Sequence, residues 1–99
     1  MDILTHAHGI TIASTLQEFI TKKVSKLETF VEKLTTVDVY LKLENHSQVK
    51  DKTTEIKINV PGQTLFATET AKTFEEATDS AVDSLVRQIK KYKAKENRR

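Results

Sequence analysis

The chain has no cysteine and no tryptophan, and only two glycines and one proline in 99 residues. Without cysteine it has no disulfide, no thiolate nucleophile and no thiolate metal ligand, which suits a reducing compartment. So little glycine and proline leaves no room for long linkers or low-complexity segments, and no internal repeat is visible. No apolar run approaches the roughly 20 residues that cross a bilayer. The start, Met1-Asp2-Ile3-Leu4, lacks the basic and apolar stretches of a secretory signal. A cytoplasmic protein without membrane association is therefore expected. Catalytic signatures are missing too: there is no Gly-rich phosphate loop, nucleophile elbow or His-Glu-x-x-His. No enzyme, cofactor or small-molecule substrate is expected. His6 and His8 share one face of a short strand and could offer two zinc ligands. With no cysteine and no clear third ligand, a neutral polar edge is the plainer reading.

What is present is a strong asymmetry of charge. The chain carries 16 Lys/Arg against 14 Asp/Glu, a net of +2. Residues 1–86 hold nine of the bases and thirteen of the acids; residues 87–99 hold seven bases and only Glu96. The mild total hides a molecule with one basic end, which attracts polyanions. That end finishes a stretch, Thr73 to Arg99, whose apolar residues Phe74, Ala77, Ala81, Leu85, Ile89 and Tyr92 recur at helical spacing. Thr73 and Glu76 form a capping-box pattern at its start. Glu75, Glu76, Asp79 and Asp83 precede Arg87, Lys90, Lys91, Lys93, Lys95, Arg98 and Arg99, the order a helix macrodipole favours. Asp79 and Asp83 are read as serving the helix start, with Asp83 pairing to Arg87 four residues on. A solvated helix end explains the sign order, though not its extent.

Composition, 37% hydrophobic and 30% charged, suits one domain over residues 1–99 with one modest core, the basic end 87–99 being the part expected to fray. Residues 2–8 form a weak strand with Ile3, Thr5 and Ala7 on one face and Leu4, His6 and His8 on the other. Ser14 with Gln17 repeats the capping-box pattern ahead of a helix over about residues 15–34. Its stripe is Leu16, Phe19, Ile20, Val24, Leu27, Phe30, Val31 and Leu34. Lys22, Lys26 and Lys33 fall on one flank, Glu18 is placed to pair with Lys22, and Lys23 projects beside the stripe.

Residues 36–44 alternate strictly, with Val37, Val39, Leu41 and Leu43 inward. A polar loop over residues 45–52 follows. Thr54 to Val60 turns through Pro61-Gly62, which suits a type II turn, into Gln63 to Ala71. In that last strand Leu65 and Ala67 face inward and Phe66 faces out. The order is β-α-β-β-β-α. Each helix is apolar on one side only, so an α+β two-layer sandwich is expected. It would have a mixed four-stranded sheet, a right-handed first crossover and both helices on one face.

These features resemble the ribosome hibernation-promoting factors, also called ribosome-associated translation inhibitor A proteins, in their short form. The resemblance covers nearly the whole chain. It rests on Ile10-x-Ile12, Leu16, Phe19-Ile20, Lys22-Lys23, Lys26-Leu27-Glu28, Phe30 and Gly62-x-x-Leu65-x-Ala67. Its most specific part is Ala77-x-Asp79-x-Ala81-Val82-Asp83-x-Leu85-x-Arg87-Gln88-Ile89-x-Lys91-Tyr92-Lys93. It implies binding to the small ribosomal subunit near its decoding region, where messenger and transfer RNA would sit, and silencing of idle ribosomes under stress. It also implies contacts to ribosomal RNA by Lys22, Lys23, Lys26, Arg87, Lys90, Lys91 and Lys93. Many relatives have Tyr-Ala-Ala-Ile-Asp where this chain has Glu75-Glu76-Ala77-Thr78-Asp79, and Lys in place of Ser84. Long members add a ribosome-pairing domain, which is not expected here. Both helical stripes are used on the sheet, so a free monomer is expected. Two rival readings remain: a generic double-stranded RNA-binding module using the same basic helices, and a small enzyme built on His6, His8 or Asp79.

Overall fold

In the computed structural model of the chain, residues 1–32, 34–44 and 51–96 are described. Strand β1 (Asp2–Ala7) leads to helix α1 (Ser14–Ser25), which runs on as one 3-10 turn at Lys26–Thr29. Strands β2 (Thr36–Leu43), β3 (Lys52–Val60) and β4 (Gln63–Ala71) follow, then helix α2 (Phe74–Glu96). The strands lie in the order β1-β2-β3-β4, with β1 parallel to β2 and the others antiparallel. This is the expected mixed sheet and element order.

Register explains the two faces. Ile3 pairs with Val37, Val39 with Ile56 and Ile56 with Ala67, so these rows share one side. Val37, Val39, Leu41, Ile56 and Ile58 are at most 1% exposed, as are Ile20, Val24 and Leu27 of the first helical segment and Ala81, Leu85 and Ile89 of α2. One cluster unites them, so both helices cover one face. Helix α2 lies over β3 and β4 with α1 beside it. Gln17 Nε2 donates to Thr5 Oγ1 at 3.1 Å and ties α1 to β1. The opposite face stays open, with Leu4 and Phe66 47% and 59% exposed.

Four sequence expectations are corrected. The first helix does not run unbroken to Leu34. It tightens at Lys26, where Ser25 Oγ donates to the Thr21 carbonyl and Thr29 Oγ1 to that of Lys26. Hydroxyls that compete for helix carbonyls weaken the regular ladder, and 3-10 turns commonly end such helices. Val31 and Leu34 are buried all the same.

Ser14 is not the N-cap. Ala13 takes that place with no side-chain bond, and Gln17 reaches Thr5 and Thr21 instead. Leu43 is 52% exposed rather than inward. Its row, Leu43–Lys52–Ala71, is the last of the sheet, and the nearest bond from α2, Thr78 to Thr54, falls two rows inside it. Asp83–Arg87 and Glu18–Lys22 form no ion pair. Of the loop expected at residues 45–52, Lys52 instead begins β3, paired with Leu43 and Ala71, while residues 45–50, with Lys33, Arg98 and Arg99, lie outside the described residues.

Other local signals are realised. The Glu76 N–H donates to Thr73 Oγ1 at 3.1 Å, the first half of the capping box. Gly62 has φ +86°, the value the second central position of a type II turn requires. Thr78, where many of the relatives named above carry Ile, is fully buried, and its hydroxyl meets that of Thr54 at 3.3 Å. The buried hydroxyl is thereby satisfied.

Candidate nucleic-acid interface

The helical layer carries the cations singled out in the sequence. Helices α1 and α2 run the same way along the sheet. Lys23 Nζ meets Asp79 Oδ1 at 3.3 Å in the first turns of α2, and Lys90 Nζ sits 5.7 Å from the centre of the Phe30 ring further along. The acidic start of α2 therefore lies beside α1, and its basic half lies beside and beyond the 3-10 turn. This separation follows from the sign order along α2 once the two helices share a direction.

The seven candidates divide into groups. At about 100° per residue, Lys22 and Lys26 lie on either side of the line opposite buried Val24, so both crown α1. Both are exposed. Lys23 is different: besides Asp79, its ammonium lies 5.6 Å from the Phe19 ring centre, and its side chain is 38% exposed. Its charge links the helices.

On α2 the cations spread widely. Relative to buried Leu85, Lys90 lies about 140° round towards α1, Lys93 about 80° round on that same side, Arg87 near the crown and Lys91 about 120° the other way. Arg87, Lys90, Lys91 and Lys93 are exposed. Lys22, Lys26, Arg87, Lys91 and Lys93 make no ion pair among the described residues. The arrangement brings Lys22, Lys26, Arg87 and Lys90 onto one helical face and turns Lys91 towards β4.

Sequence reasoning missed the residues that hold the basic half of α2 down. Gln88 Nε2 donates to the Phe66 carbonyl at 2.9 Å, which occupies an outward-pointing group of edge strand β4. Tyr92 Oη donates to the Pro61 carbonyl at 2.8 Å. Tyr92 ends the apolar stripe, and a half-buried tyrosine hydroxyl calls for a partner; that was the available signal. Gln88 gave none. Asp79 was read as part of the helix start, and its true partner is on the other helix.

On the open face, His6 Nε2 lies 3.1 Å from Asp38 Oδ1 and its ring stacks on Tyr40 with centroids 4.7 Å apart. Among the described residues no group of three His, Asp or Glu side chains converges as a metal would need. No helix among them is long and apolar enough to cross a membrane.

Comparison with known proteins agrees with the fold. The family described as Sigma 54 modulation protein / S30EA ribosomal protein matches residues 3–97. Ribosome hibernation promoting factors from Salmonella typhimurium and Escherichia coli are 32% and 30% identical over 95 residues, 96% of this chain and 96% of theirs. Among solved structures, the Thermus thermophilus Protein Y N-terminal domain superposes with a TM-score of 0.78 at 25% identity, covering 93% of this chain and 99% of that one. A ribosomal subunit interface protein from Coxiella burnetii shares the fold, with a TM-score of 0.82 at 22% identity over 95% and 99% of the two chains. With its sequence matched almost end to end and its layers superposed, the chain belongs to the Sigma 54 modulation protein / S30EA ribosomal protein family, that of the ribosome hibernation promoting factors.

Proposed function

We propose that the protein is a cytoplasmic ribosome hibernation factor. It binds the small ribosomal subunit as a monomer and blocks the channel for messenger and transfer RNA by occupying it. The helical face meets ribosomal RNA: Lys22, Lys26, Arg87 and Lys93 contact phosphates directly, Lys90 does so from the groove between the helices, and Lys91 does so from the flank of α2 towards β4. Lys23 contributes mainly by fixing the two helices against each other. The observation that carries this reading is a set of exposed cations without acidic partners, gathered on the helical layer of a chain that belongs to the hibernation-factor family. Phosphate recognition of this kind needs no catalytic group and no bound cofactor.

Occupancy makes a simple kinetic demand. Titrated into a translation reaction, the protein should inhibit in proportion to ribosomes and saturate near one molecule per small subunit. Inhibition that persists at a hundredth of the ribosome concentration would mean turnover and overturn the reading. Binding to free duplex RNA as tight as to ribosomes would point instead to a general RNA-binding module.

A further inference from the structure

Between the basic half of α2 and the β3–β4 hairpin lies a cleft of about 460 Å³, lined by Gln63, Leu65, Gln88, Lys91, Tyr92 and Lys95. Its floor is apolar: Leu65 is 8% exposed, and the Tyr92 ring is held in place by the bond from its hydroxyl to Pro61. Lys91 and Lys95 stand one helical turn apart at the rim, without an ion pair among the described residues. The Gln88 amide nitrogen is committed to Phe66 and Ser84, so its oxygen is left as an acceptor, and the Gln63 side-chain amide has no partner among the described residues.

We propose that this cleft takes one unstacked ribonucleotide. The base would lie on Tyr92 and Leu65, its polar edge would meet the amides of Gln63 and Gln88, and the flanking phosphates would meet Lys91 and Lys95. This rests on the RNA reading above and adds to it a site on the other flank of α2 from the groove to α1. Each part of the cleft matches a part of a nucleotide. A bare anion would leave the apolar floor and the amides unused. An apolar peptide would desolvate two lysines without compensation. Bases inside an A-form duplex are stacked away, so the occupant is single-stranded or extruded. The cleft size lies within the usual range for small ligands.

The test is an amide-resolved NMR titration of the intact chain, without ribosomes, at constant ionic strength. The probes are uridine and adenosine 5′-monophosphates, ribose 5-phosphate and inorganic phosphate. The nucleotides should bind at least about fivefold more tightly than ribose 5-phosphate, the low end of base–aromatic stacking, with shifts at residues 63, 65, 88 and 92. Tyr92→Phe should keep that preference and Tyr92→Leu should lose it. Lys91→Ala with Lys95→Ala should weaken every phosphate probe alike. Equal binding of ribose 5-phosphate and nucleotide by the unaltered chain overturns the proposal, whatever the variants do. Shifts centred elsewhere, or an acidic peptide that shifts the same residues as strongly, also overturn it. A chain that sediments with small subunits yet shows no base preference loses only this site. A chain that prefers nucleotides here but ignores ribosomes loses the hibernation reading instead.

Discussion

The buried Thr54–Thr78 contact makes a quantitative prediction. Both residues are 0% exposed and their hydroxyls are 3.3 Å apart. Valine has nearly the same shape, so Thr→Val removes a hydroxyl without opening a cavity. Thr78→Val leaves the Thr54 hydroxyl buried on a strand without a partner, which costs about 1–3 kcal/mol. Thr54→Val is milder, because Thr78 sits in a helix and its hydroxyl can turn to the carbonyl one turn back. We expect about 1 kcal/mol for Thr54→Val and about 2 kcal/mol for Thr78→Val. The double variant should return close to the parent, since neither polar group remains. For a chain of this size each kcal/mol lowers Tm by about 4–8 °C. Urea unfolding followed by far-ultraviolet circular dichroism would measure all four proteins and give a coupling of about 3 kcal/mol. Costs that simply add in the double variant would refute the reasoning, as would two neutral single variants.

Three further outcomes follow from the same structure. Leu85→Ala, at a fully buried position between α2 and the sheet, should cost about 2–5 kcal/mol in urea unfolding. Lys23→Ala should cost only about 0.2–1 kcal/mol, because the Lys23 and Asp79 side chains are 38% and 54% exposed, and the loss should shrink in high salt. The Lys52 hydrogen bond holds the Asp51 carboxyl below its ordinary value of 3.8, so its NMR titration midpoint should rise back in Lys52→Ala. The stabilisation from that pair is present above the unfolded value and fades as pH falls through the lowered folded one.

Much of the architecture was legible because two periodicities were clean. Val37, Val39 and Leu41 alternate, and Phe74, Ala77, Ala81, Leu85 and Ile89 recur at helical steps; each set names one buried side. What stayed hidden depended on partners distant in sequence. Helix α1 ends early because Ser25 and Thr29 turn their hydroxyls to the backbone, a choice that periodicity does not register. Leu43 obeys the alternation, yet its row lies past the cover of the helices. Asp79 seemed to belong to its own helix until α1 brought Lys23 beside it. The cations of the interface were legible as residue types. Their sorting between the helical face and the β4 cleft needed the rotation of α2, which Gln88 and Tyr92 pin to the hairpin.

The central claim is that phosphate contacts from the basic side chains of the two helices drive binding to the small subunit. Its most direct test is co-sedimentation with isolated small subunits across a range of salt, for the parent and for a variant with Lys22→Ala, Lys26→Ala, Arg87→Ala and Lys91→Ala. These exposed residues make no ion pair among the described residues, so folding should be nearly unchanged. The account predicts steep loss of parent binding with salt, and a variant that binds far more weakly with a slope shallower by about 0.7–0.9 per lost contact, roughly 3 in all. A quadruple variant that binds as tightly as the parent with the same salt slope would contradict it, and would make the basic helices no more than a solvated surface.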